Sequence, residues 1–377
     1  MFETLSHFAL QQYWWVLISL LGALLVFLMF VQGGQTFIYS LGKSDVEKKM
    51  IVNSMGRKWE FTFTTLVTFG GAFFASFPLF YATSFGGAYW VWMAILFAFI
   101  IQAVSYEFRS KPGNFLGRRT FDAFLWINGF LGTVLIGTAV STFFTGSEFM
   151  LNDFNNVHWM GPARGLEAVL NPHNVALGLA VFFLARTLGL LYLYNDIDHE
   201  NLLAGIRRKL KINSVLFLVF FLTWLIWLML IKGYAYDPVT KEVFMEPYKY
   251  FHNLLEMPFN TAIMLAGVVL VLFGLYSSVI KTGTRGIWYA GSGTVLTVFA
   301  LFILAGFNNT AFYPSSYDLQ SSLTIENASS SHFTLTAMSY VSLMIPFVLA
   351  YIWYAWKAIN NKKIDESEME DKESHAY

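Results

Sequence analysis

Residues 13–31 read YWWVLISLLGALLVFLMFV, nineteen positions without a charged side chain. As a helix the run covers about 28 Å, close to the roughly 30 Å of a bilayer's hydrocarbon core. It is too long for the apolar part of a secretory signal, and residues 1–12 carry no Lys or Arg, so it is expected to remain in the mature chain as a membrane span. Working outward, the first span is placed at 13–39, and eight more stretches meet the same length rule: 61–82, 88–106, 121–144, 174–194, 213–232, 260–280, 287–307 and 333–356.

Composition agrees with a bilayer location. Of 377 residues 56% are apolar and only 13% charged, far from the balance of a soluble domain, and the 19% aromatic content excludes a disordered or fibrous chain. Lys plus Arg and Asp plus Glu cancel at 24 each, so no charge excess points to nucleic acid. The absence of Cys excludes disulfides, thiolate metal sites and a Cys nucleophile.

Charge placement sets the orientation. The connections after spans 1, 3, 5 and 7, together with the tail, hold nineteen of the 24 basic residues. The opposite side holds Arg164, Lys232, Lys241 and Lys249, and Arg186 lies inside the fifth span. Cytoplasmic loops retain Lys and Arg, so the N-terminus is expected outside and the C-terminus in the cytoplasm. The three long loops, 145–173, 233–259 and 308–332, all fall outside and are too short for a further domain. The expected fold is an all-α polytopic membrane protein in one transmembrane domain, 1–356. It would comprise two four-helix bundles plus one peripheral helix, followed by a charged cytoplasmic tail, 357–377, that is solvated and disordered.

Small residues recur every fourth position at Gly129, Thr133, Gly137 and Ser141, a pattern for close helix approach. Gly70, Gly71, Ala72, Ala75 and Ser76 read the same way before Pro78, which is expected to kink the second span. His7, His158, His173, His252 and His332 fall in outer segments, His199 in an inner loop and His375 in the tail. No span therefore offers an imidazole to haem iron, and no metal site is expected.

Polar groups at membrane depth gather on the inner side: Gln32 and Gln35 in the first span, Trp59 and Glu60 at the start of the second, Gln102 and Glu107 ending the third, Asp122 and Asn128 beginning the fourth. For Glu60, Glu107 and Asp122 two readings stand. One is interfacial pairing with Lys58, Arg109 and Arg119; the other is a proton-conducting or cofactor-facing cluster, for which buried carboxylates are the usual carriers. Arg186 lies about 12 Å from the inner end of its span, which strains snorkelling, so it either snorkels or meets an anion.

Four motifs then combine. GKSDVEKKMIVNSMGRKWE at 42–60, GGAFFASFP at 70–78, PLFYATSFGGAY at 78–89 and YEFRSK at 106–111 resemble subunit II of the cytochrome bd-type quinol oxidases, and LNP at 170–172 looks like the same family. The resemblance is strong over the first third and beyond residue 200 is mainly one of length and hydropathy. It implies a non-haem-ligating, nine-helix subunit of the bacterial cytoplasmic (inner) membrane that supports a haem-bearing subunit I. That partner would hold two haems b, one haem d and the quinol site. The resemblance leaves open a bound quinone and a small accessory subunit.

Departures from the family pattern are also legible. FVQGGQ at 30–35 stands where better known members are acidic, with Gln32 in place of an Asp. Trp59-Glu60 matches the family's Trp-Asp, and Gln102 replaces an Arg. A proton path through this subunit would keep one acid, Glu60. The expected function is thus a subunit of a quinol:dioxygen oxidoreductase offering support and proton or dioxygen access. The alternative is a secondary transporter component, against which no pair of Gly/Pro-broken spans marks a midplane site.

Overall fold

The structure, a computed structural model, describes residues 2–370, the last by its backbone alone. Its helices are α1 (His7–Leu28), α2 (Phe30–Gln35), α3 (Ile38–Leu41), α4 (Asp45–Gly56), α5 (Trp59–Ser76), α6 (Pro78–Tyr81), α7 (Tyr89–Phe108), α8 (Arg118–Ile127), α9 (Thr133–Thr145), α10 (Pro172–Asp196), α11 (Glu200–Leu230), α12 (Lys249–Glu256), α13 (Pro258–Val279), α14 (Gly286–Gly306), α15 (His332–Ser342), α16 (Ile345–Ile359) and α17 (Glu366–Glu370). Two hairpins are the sheet content of the described residues: β1 (Phe149–Leu151) with β2 (Val157–Trp159), and β3 (Lys232–Tyr236) with β4 (Val243–Pro247). The molecule is an all-α polytopic membrane protein.

Among the described residues eight helical rods are long and apolar enough to cross a membrane; α1–α2, α8–α9 and α15–α16 each count as one. The ninth expected span, 61–82, is less apolar, because Glu60, Thr62, Thr64, Thr65 and Thr68 dilute α5. Its ends nevertheless lie at opposite faces of the bundle. At one end Trp59 stacks on Tyr106, beside the basic loops. At the other, the Ser76 carbonyl accepts from the Ser330 N–H in the long loop before α15. Proline breaks the rod as expected, with Phe77 out of helical conformation and Pro78 opening α6.

The centre of the bundle is α10, buried along most of its length between α2, α9, α11 and α14. Glycines make this density possible. A Cβ added at Gly33 would lie 1.9 Å from the Ala185 carbonyl oxygen, one at Gly137 2.8 Å from the Gly178 Cα and one at Gly129 2.4 Å from the Gln32 carbonyl oxygen, so the small-residue stripe of the fourth span packs on α10 at Gly137 and on α2 at Gly129. On the other side α13 and α14 lie together, α14 against α1, while α16 buries none of its side chains fully.

The three long loops form one cap. Ser147 bridges to Ser315, Ala235 to Thr310 and Tyr313 to Leu323, and Phe312 and Tyr313 are buried beneath. At the opposite end the tail departs from the expectation of a solvated, disordered segment. Ile364 exchanges backbone hydrogen bonds of 2.9 Å with Asp196 and Asp198. Nearby, His199 meets Glu366 at 2.9 Å and Arg57 pairs with Glu368. Two buried apolar side chains, Ile364 and Met369, punctuate the charges and give the segment something to bury. Residues 371–377 of the expected tail lie outside the described residues.

Candidate functional site

At the basic end of the bundle the sequence places uncharged amides where helices meet. Gln32 Nε2 donates to Gln102 Oε1 at 3.1 Å, and Gln102 Nε2 donates to Gln35 Oε1 at 3.0 Å. The same Gln35 oxygen accepts from the Tyr106 hydroxyl at 2.9 Å. Gln35 Nε2 in turn donates to Asn128 Oδ1 at 2.6 Å and to the Leu125 carbonyl at 2.7 Å. This net ties α2, α7, α8 and the π-helical turn Asn128–Gly132, and every side chain in it is buried. Gln32 Oε1 and Asn128 Nδ2 are buried without a partner among the described residues.

About one turn along α8 from Leu125, and just past the end of α7, lies a separate buried ion pair. Asp122 Oδ1 accepts from Arg109 Nε at 2.6 Å, with side chains 4% and 3% exposed. Asp122 therefore pairs with Arg109, not with Arg119, whose carbonyl instead accepts from the Tyr39 hydroxyl. Glu107 is exposed and pairs with Lys111 at 2.8 Å, one turn along α7, not with Arg109. Glu60 lies at the exposed start of α5 with no ion pair among the described residues. Of the candidate residues, Gln32, Gln102, Trp59 and Asp122 thus converge, whereas Glu60 and Glu107 face outward. Amides hold geometry but do not release protons in the physiological range, so this cluster as built positions helices.

The expected partner of Lys58 is also replaced. The residue is 1% exposed, its ammonium lacks a hydrogen-bond partner among the described residues, and it sits 5.2 Å from the centroid of the Trp356 ring. Burial pushes it down to about 8, opposed by the Asp196 carboxylate and reinforced by Arg57. Arg186 meets no carboxylate among the described residues, and two of the groups it reaches, Asn213 and Phe37, lie at the inner ends of their spans, the direction in which it would snorkel. Its Nε donates to Asn213 Oδ1 at 2.7 Å, and its guanidinium lies 4.1 Å from the Phe37 ring and 5.2 Å from that of Phe182. Ring faces and an amide oxygen stand where one of the two readings placed an anion. Sequence reasoning missed Tyr106, although it opens the YEFRSK motif, and Asn213, whose position four residues after Lys209 carries no distinguishing signal.

Three of the described histidines are held by backbone carbonyls. His173 is buried, but its Nε2 is 3.2 Å from the Trp224 carbonyl and its ring stacks on that indole. His7 and His332 approach each other at the outer rim, each with Nε2 held 2.9 Å from a backbone carbonyl.

The chain is a helical membrane protein with a packed centre, a loop cap on one side and an amide-lined basic end. The chain belongs to the cytochrome bd terminal oxidase subunit II family, whose model matches residues 10–359. It is 28% identical over 370 residues to cytochrome bd-I ubiquinol oxidase subunit 2 of Escherichia coli strain K12, covering 94% of this chain and 95% of that one. It is 29% identical over 357 residues to the probable cytochrome oxidase subunit 2 of Haemophilus influenzae, covering 90% and 92%. The structure of bd oxidase from Geobacillus thermodenitrificans shares the fold, with a TM-score of 0.60 at 12% identity over 93% of this chain and 97% of that one. The protein is thus a multi-pass membrane subunit of an oxygen-reducing quinol oxidase complex, and the relationship extends well past the first third, where the motifs are legible. A cytochrome bd complex carries haem and implies a partner subunit I.

Proposed function

We propose that this chain supports the haem-bearing subunit I of its oxidase in the bacterial inner membrane, ligates no haem itself, and supplies Glu60 at the interface as the acid through which cytoplasmic protons approach. Two haems b, one haem d and the quinol site belong in this reading to subunit I. The observation that carries it is the isolation of Glu60: a carboxylate on the exposed start of a membrane helix, beside a half-buried Trp59 that stacks on the amide-bonded Tyr106. Such a group is costly facing lipid and useful facing a partner.

The test is Glu60→Gln in the assembled oxidase. Turnover is expected to slow with haem content intact, and Glu60→Asp to recover part of the rate. Full turnover in Glu60→Gln would move the proton route into subunit I. For haem, the chain expressed alone should show no stoichiometric Soret band, and such a band would overturn the assignment.

A further inference from the structure

Where the basic end meets the membrane, α14 and α16 part around a notch of about 660 Å³. Its upper rim carries Lys357, Lys362 and Lys363, all exposed. Below them Trp288, Trp353 and Trp356 line the walls, at the depth where indoles mark a membrane interface. Deeper still the lining is aliphatic, Leu349 and Ile352. Cationic, then aromatic, then apolar is the profile of an amphiphile with an anionic head and hydrocarbon tails, at the face that the positive-inside asymmetry assigns to the cytoplasm.

Two donors behind the wall point the same way. Among the described residues Trp356 Nε1 is buried without an acceptor, and Lys58, packed on the Trp356 ring, also lacks one. The acids nearby are already engaged: Asp196 Oδ2 accepts from Ser54 Oγ at 2.6 Å, and Asp365 pairs with Lys362 at 2.9 Å. Lys357 lies over the Trp353 ring, 5.4 Å from its centroid, and Lys363 remains available. Three lysines and one carboxylate, Asp196, line the notch, so its lining carries net positive charge.

We propose that this notch binds one anionic phospholipid of the inner leaflet, its phosphate against Lys357 and Lys363 and its acyl chains between α14 and α16. A free phosphate would use the lysines and leave the tryptophan and aliphatic walls idle.

The assembled oxidase is placed in nanodiscs of phosphatidylcholine containing a minor fraction of phosphatidylglycerol, and lipid retention is read by native mass spectrometry. One phosphatidylglycerol is expected to stay with the complex. Lys357→Gln, Lys362→Gln and Lys363→Gln together should weaken its retention by about 100-fold. The same number of changes on the exposed inner stretch of α11 (Arg207→Gln, Arg208→Gln, Lys211→Gln) should leave it unchanged. Excess inorganic phosphate should not displace the lipid. Equal loss from both triple variants, displacement by phosphate, or crosslinking of Trp353→benzoylphenylalanine to a protein instead of to lipid would each overturn the proposal.

Discussion

The ring of Trp59 lies nearly parallel to that of Tyr106, with centroids 6.0 Å apart and planes 13° from coplanar, and the Tyr106 hydroxyl donates to Gln35. One tyrosine therefore couples the entrance of α5, which carries Glu60, to the amide net between α2 and α8. Tyr106→Phe keeps the stack and strands one buried amide oxygen on one of its bonds. A loss of about 1 kcal/mol is expected, read as a lower thermal midpoint of the purified complex. Tyr106→Leu removes the stack as well and should cost more; equal losses would show that the ring contact contributes nothing.

The ion pair of Asp122 with Arg109 is almost solvent-free, whereas that of Glu107 with Lys111 is exposed. Asp122→Asn should destabilise by about 3 to 5 kcal/mol, since it leaves a buried guanidinium unpaired. Glu107→Gln should change stability by less than about 1 kcal/mol. Replacing both Arg109 and Asp122 with Met and Leu should recover most of the loss; if the double variant is as unstable as Asp122→Asn, the pair has a role beyond mutual neutralisation.

Arg186 is held by Asn213 and two phenyl rings, so its removal strands no opposite charge. Arg186→Leu is expected to cost about 2 kcal/mol, and Arg207→Leu, on an exposed stretch, close to nothing. A cost of 3 kcal/mol or more in urea titration of the complex would mean that an anion from another subunit completes the site.

Close backbone approach makes a sharper contrast. Gly33 has the Ala185 carbonyl oxygen 1.9 Å from where a Cβ would be, while Gly71 has nothing within 4 Å. Gly33→Ala should sharply reduce membrane accumulation, and Gly71→Ala should leave it at the wild-type level. Immunoblotting of membrane fractions suffices to read the difference.

Much of this architecture is legible in residue order. Apolar runs mark the spans because a bilayer demands about 20 residues per crossing, and α5 is recognisable despite its threonines because it must return the chain to the other side. Gln32, Gln35, Gln102 and Asn128 are visible as costly polar groups at depth. Their bonding is not, since helix rotation decides which faces meet. That is why Asp122 turns to Arg109 across two helices in place of its chain neighbour Arg119, and why Glu60, predicted beside Lys58, points the other way. The tail misleads for a related reason: six acids near Lys362 and Lys363 dominate its composition, while two apolar side chains at Ile364 and Met369 decide where it lies.

The docked tail also orders biogenesis. Residues 364–368 leave the ribosome after every span, yet their partners Arg57, Asp196, Asp198 and His199 were made long before. The inner ends of the early spans stay unlatched until residue 368 has emerged, so truncation before Ile364 should leave them open on that face, read as greater protease sensitivity around Arg57.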